Sequence, residues 1–349
     1  MLIGLGLVPL VSFGHHSSVG RYDDDTVIEI EGVVTELLWR NPHVYMTLET
    51  REQNGERIVW ELESGSATVL MRSGIQRDSI KVGDHIKVAG SAPLTSAREI
   101  FVTNVLVPSG EELLMLSRGK PRWNDEQRGD YSFWYETEGD PSRPELGLFR
   151  VWSHTFASSW LFPEVLDPSF DLSSYPLTPA AKVALEQFDR ATDNPTVNCT
   201  AKGMPSIMEQ AYPIEIVQDG NDVLVRLEEY DTLRTIHIDR DAPPAGEPPS
   251  LLGYSVGRWD GTVLVVTTSH VDWPYFDQLG IPQSEESLLV ERFNPTADGS
   301  RLDYQLTVTD PVNFTEPVTL EKYWLYLADQ KVEPYECAVR GEIEQSAVN

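Results

Sequence analysis

Residues 302–309 read Leu-Asp-Tyr-Gln-Leu-Thr-Val-Thr, with Leu302, Tyr304, Leu306 and Val308 alternating against Asp303, Gln305, Thr307 and Thr309. An alternation of period two is the signature of a strand with one buried and one wetted face. The same pattern runs through Val223, Val225 and Leu227, which alternate with Leu224, Arg226 and Glu228. Asp219-Gly220, Asp260-Gly261 and Asp298-Gly299 supply turns at hairpin spacing. Residues 212–336 therefore read as seven to eight antiparallel strands. A sheet of that size either closes into a barrel or folds over as a sandwich. A lipocalin-like barrel, with room for one small ligand, is the expected form, and a β-sandwich is the alternative.

Upstream, Val27 to Val34, His43 to Glu49 and Ile58 to Leu62 read as strands. Ala67 to Gly74 reads as a short helix ended by glycine, and Val82 to Gly90 and Glu99 to Val107 read as two further strands. Three strands, a helix and two strands is the order of a five-stranded barrel of the oligonucleotide/oligosaccharide-binding (OB) type. The fold class expected is mainly β: an OB-like domain over residues 15–108, a linker over 109–150, and an antiparallel barrel over 151–349 preceded by one helix. The linker carries Trp123, Tyr131, Phe133, Trp134 and Tyr135, which suit packing along a surface rather than a flexible tether. The preceding helix is Pro179 to Arg190, with Thr178 as its N-cap.

The chain has 349 residues, 27 Lys and Arg against 55 Asp and Glu, and a net charge of −28. Without grouped cations it has no electrostatic footprint for nucleic acid, and no such partner is expected. No apolar run reaches the roughly 18 to 20 residues that cross a bilayer as a helix. Residues 1–14, MLIGLGLVPLVSFG, read as the remnant of an export signal with Ser12 and Gly14 before a cleavage point, which predicts a periplasmic or secreted protein. Cys199 and Cys337 are the only thiols. In an exported chain they fit one disulfide around the C-terminal domain; two buried free thiols are the other reading.

Three constellations could carry chemistry. His15, His16 and His43, with a freed α-amino group, could hold copper or zinc, against the plainer reading of structural or solvated histidines; no cofactor is otherwise required. In the C-terminal domain, Thr235, His237 and Asp239 share a strand face opposite Ile236 and Ile238. If that face turns inward, His237 with Asp239 or Glu228 forms a base and its orienting carboxylate, as in a small-molecule hydrolase, lyase or isomerase. Tyr230, Arg234 and Arg258 would then hold a ligand, and Arg234, Arg240 and Arg258 make this the segment to accept an anion. The bland alternative is an outward polar face of weak ion pairs. Third, His270 and Glu285 fall in a long loop suited to a barrel mouth. The P-loop, His-Glu-x-x-His, Cys-x-x-Cys and the dinucleotide fingerprint are all missing from the sequence.

His15-His16-Ser17, Gly32-Val33-Val34, Trp39-Arg40-Asn41-Pro42-His43, Trp60-Glu61 and Gly83-Asp84 resemble an uncharacterised family of exported bacterial proteins, whose mature chains begin near Ala-His-His-Ser and carry Trp-x-Asn-Pro-His at a strand start. Asn198-Cys199, Gly203-Met204-Pro205, Arg234 to Asp239, Gly253 to Gly261 and Asp310-Pro311 resemble its larger, two-domain members. Gly14 stands in place of the family's Ala, and Pro282-Gln283-Ser284-Glu285 lacks the histidines often found there. The resemblance implies export, two domains and a Cys199–Cys337 pair, and it brings no substrate. The functional expectation is an exported protein binding a small, partly apolar ligand in the C-terminal barrel.

Overall fold

A computed structural model describes residues 22–51, 55–160, 172–189, 192–238 and 240–337. His15, His16 and the export signal lie outside the described residues, as does Asp239. The fold is mainly β, in two barrel-shaped sheets.

The smaller barrel comprises β1 (Tyr22–Leu38), β2 (Tyr45–Arg51), β3 (Arg57–Glu63), α1 (Ala67–Arg72), β4 (His85–Pro93) and β5 (Glu99–Leu106). The strands run in the order β3-β2-β1-β4-β5, and a parallel pairing of β3 with β5 closes the ring. Two glycines allow the close strand crossings. A Cβ on Gly32 would lie 2.3 Å from the Glu49 carbonyl oxygen, and one on Gly90 would lie 2.2 Å from that of Phe101. Ser66 caps α1, its side chain accepting from the Val69 N–H, and the helix buries Ala67, Val69 and Leu70 in the barrel core. The stretch expected as a linker adds β6 (Glu112–Leu114) and β7 (Gln127–Arg128) to this sheet. Tyr131, Phe133 and Trp134 follow as a ring cluster, and the Trp134 Nε1–H donates to the Ala211 carbonyl of the second barrel at 2.9 Å.

The larger sheet has nine strands: β8 (Val151–Trp152), β9 (Ile214–Asp219), β10 (Asp222–Leu227), β11 (Thr232–His237), β12 (Tyr254–Asp260), β13 (Val263–Ser269), β14 (Leu288–Pro295), β15 (Arg301–Thr309) and β16 (Val318–Leu325). They lie in sequence order, and Ser153 and Leu325 bridge the two edges through reciprocal N–H···O bonds of 2.8 and 3.0 Å. The result is a nearly closed barrel rather than a sandwich. It departs from the all-antiparallel expectation at one seam, where β11 and β12 pair parallel. The helix α2 (Pro179–Gln187) lies outside the sheet, capped by Thr178, whose Oγ1 accepts from the Ala181 N–H.

Inside the larger barrel, Ile216, Val225, Ile236, Val266, Phe293 and Tyr304 meet Trp152 and Trp324. One mouth is closed by the segment 203–210, whose Met204, Ile207 and Met208 are fully buried. Gly203 is confined there: a Cβ would come within 2.4 Å of the Trp273 Cβ. Among the described residues, no helix is long and apolar enough to cross a membrane.

Candidate functional site

The two barrels are joined by polar contacts that are largely buried. Arg72, at the end of α1, forms a two-pronged pair with Glu228, its Nη1 donating to Oε1 at 2.8 Å and its Nη2 to Oε2. Asn41 sits in the Trp-Arg-Asn-Pro-His stretch. Its Oδ1 accepts from the Thr68 N–H and its Nδ2 donates to the Tyr335 carbonyl, so the motif clasps the C-terminal segment to α1. That segment is tied in turn by the Cys199–Cys337 disulfide. The motif is thus a clasp between the barrels as well as a strand start.

Between the barrels lies a cleft of about 290 Å³. The small barrel contributes Pro42, His43, Ser66, Val69 and Phe101; Trp134 closes one side. From the larger domain come Lys202, Gln210, Tyr212, Glu229, Tyr230 and Tyr335, with Trp273 and Tyr275 as aromatic wall. The Lys202 ammonium donates to Glu229 Oε2 at 2.8 Å, and the Glu229 N–H donates to Gln210 Oε1 at 2.9 Å. Burial pushes the Glu229 carboxyl above its ordinary range although Lys202 pulls the other way. The rings of Tyr212 and Tyr230 pack on Tyr335 at centroid distances of 5.4 and 5.1 Å. Burial holds all three phenols well above their usual pKa, so they act as neutral hydrogen-bonding groups. The cleft therefore offers aromatic walls, neutral hydroxyls and a charge pair that is already balanced.

His43 stands at the rim, its Nδ1 2.7 Å from the Ser64 carbonyl oxygen and 3.5 Å from Glu63 Oε1. A carbonyl can only accept, so Nδ1 carries a proton and donates to it. Among the described residues no three His, Cys, Asp or Glu side chains gather as a metal-holding group.

The sequence-derived site disperses. His237 stands on the outer face of the large barrel, stacked on Tyr254 at 4.7 Å, with Nδ1 2.8 Å from Asp222 Oδ2. Its expected partner Glu228 is at the other end of the β10–β11 pair, since Val223 pairs with Ile236 and Leu227 with Thr232. The structure does not bring His237 and Glu228 together: Glu228 is fully buried and pairs with Arg72, while His237 lies against Asp222. Arg234 shares the inward face with Ile236. Its guanidinium is spanned by Glu291, at 2.8 Å from Nη1 to Oε1, with Ser255 and Thr268 accepting from the remaining N–H groups and Tyr304 donating to Glu291. Arg258 and Arg240 are exposed, so the three arginines do not converge on an anion. His270 has a left-handed backbone and bonds to Ser269; Glu285 is exposed. Of the expected ligand-binding residues, Tyr230 alone lines the cleft, and His43 reaches it from the proposed metal set.

Residues 5–98 match the Family of unknown function (DUF6152). The DUF6152 match runs from before β1 to the loop ahead of β5, so it covers Pro42, His43, Ser66 and Val69 on the small-barrel wall but none of the large barrel. No curated protein matches the chain.

Proposed function

We propose that this is an exported protein that holds a small, partly apolar, uncharged ligand in the cleft between its two barrels. The observation that carries the reading is the composition of that cleft: rings on several sides, neutral tyrosines, and one lysine whose charge Glu229 already balances. Ligand sites are commonly concave, mostly apolar and furnished with a few aimed polar groups, often where domains meet. Sequence reasoning placed the ligand inside the larger barrel; the packed side chains there and the 203–210 closure favour the junction instead. The disulfide and the signal-like N-terminus support export.

The test is a thermal-shift screen of uncharged aromatic amides, esters and ketones against the wild type and an Ala211→Trp variant, which fills the cleft. Ligands should raise the wild-type Tm and leave the variant's unchanged. Stabilisation that survives Ala211→Trp would refute the placement.

A further inference from the structure

The inter-barrel cleft has a neighbouring compartment. It measures about 50 Å³, and the two share Lys202, Ser206, Asp277 and Gln278 as a common wall. Beyond that polar threshold the lining is mostly apolar, with Pro205, Phe276, Leu306 of β15 and Leu320 of β16 beside the carboxylate of Glu209. Leu306 lies between the buried Tyr304 and Val308 along its strand, and Leu320 two residues before the buried Lys322, so both point into the barrel mouth. The threshold carries an independent sign of a missing partner. Among the described residues no acceptor meets Gln278 Nε2, which is shielded from solvent, and that is unfavourable for a buried donor.

We propose that the ligand is an uncharged carbonyl compound whose ring-bearing head fills the inter-barrel cleft, whose carbonyl oxygen accepts from Gln278 Nε2, and whose unbranched aliphatic tail enters the barrel mouth. This rests on the cleft being a ligand site. A carboxylate head is disfavoured because Lys202 is already neutralised by Glu229, and Glu209 and Asp277 both line the inner compartment. The tail is short: at 10–15 Å³ for each water-sized sphere the compartment accepts about four carbons.

The probes are N-alkylbenzamides from N-methyl to N-octyl, with Kd measured by calorimetry on the full chain. Burying each methylene should tighten binding about fourfold up to about four carbons, after which affinity levels off or falls. Leu320→Trp fills the barrel mouth and should flatten the series while leaving N-methylbenzamide unaffected; Leu320→Phe, with thermal unfolding as a check of folding, serves the same purpose if the larger ring is not tolerated. Gln278→Leu should weaken every member by about tenfold without altering the slope with chain length. Binding whose affinity ignores chain length, or keeps rising beyond six carbons, overturns the tail assignment alone. Failure of every member to bind overturns the cleft itself as a site for such ligands.

Discussion

Removing the Arg72 side chain as Arg72→Met should destabilise the protein by about 3–5 kcal/mol, the range for stranding one member of a buried pair. The magnitude follows from what Glu228 would lose. Its carboxylate is fully buried and receives two N–H groups from Arg72, leaving a single backbone donor, the Glu333 N–H at 3.0 Å. The same guanidinium also donates to the Lys331 carbonyl at 2.9 Å, so one substitution loosens the C-terminal segment as well. The assay is guanidinium unfolding of the full chain at pH 7, followed by circular dichroism and tryptophan fluorescence. Arg72→Met with Glu228→Gln should recover most of the loss, because the isolated charge is then gone. A loss below about 0.5 kcal/mol for Arg72→Met, or strictly additive single and double variants, would refute the reasoning, since either result means the pair is not a desolvated, coupled unit.

Glu291→Leu leaves Arg234 charged inside the large barrel and should lose about 3–5 kcal/mol in denaturant unfolding, with Arg234→Met added to it restoring most of that stability. His154 is fully buried and its pKa is pressed down to about 3, mainly by burial, so the unfolded state takes up the extra proton below about pH 6.5. This contribution is complete above pH 6.5 and is lost at about 1.4 kcal/mol per pH unit down to about pH 3; between pH 7 and 5 the wild type should lose about 2 kcal/mol more than His154→Leu, and equal losses would contradict it. Reducing the disulfide opens a 138-residue loop and should remove about 5 kcal/mol of stability in the chain-entropy description. It should also weaken ligand binding, because Asn194, Thr196 and Tyr335 line the cleft just ahead of the two cysteines; calorimetry with and without reductant measures this.

The elements that sequence reasoning reached are those written in local periodicity. Leu302, Tyr304, Leu306 and Val308 do point inward, and the strand-strand-strand-helix-strand-strand order does close as a small barrel. Thr178 and Pro179 do begin a helix, and Cys199 and Cys337 are bonded. What escaped has no local signature. β8 is two residues long and closes the large barrel through Ser153 and Leu325, 172 positions apart, and the parallel β11–β12 seam follows from a long connection that no alternation describes. Arg234 alternates in phase with Ile236, so its burial was readable by parity. Its partner Glu291 lies 57 residues on, which is why the residue looked like a surface or ligand-binding cation. Glu228 likewise finds Arg72 156 residues away, across the domain boundary. The cleft is assembled from both barrels and the 202–212 stretch, so of the residues expected to form a site only Tyr230 and His43 line it. Lys202 and Gln278 gave no motif, and the nearest local hint was the Gly-Met-Pro stretch, whose glycine has no room for a side chain.

A crystal structure of the protein soaked with N-butylbenzamide tests the central claim most directly. The account predicts density for the ring among Phe101, Trp134 and Trp273, the carbonyl oxygen within hydrogen-bonding distance of Gln278 Nε2, and the butyl chain against Leu306 and Leu320. Density on the outer face beside His237 and Asp222, with none between the barrels, would contradict it.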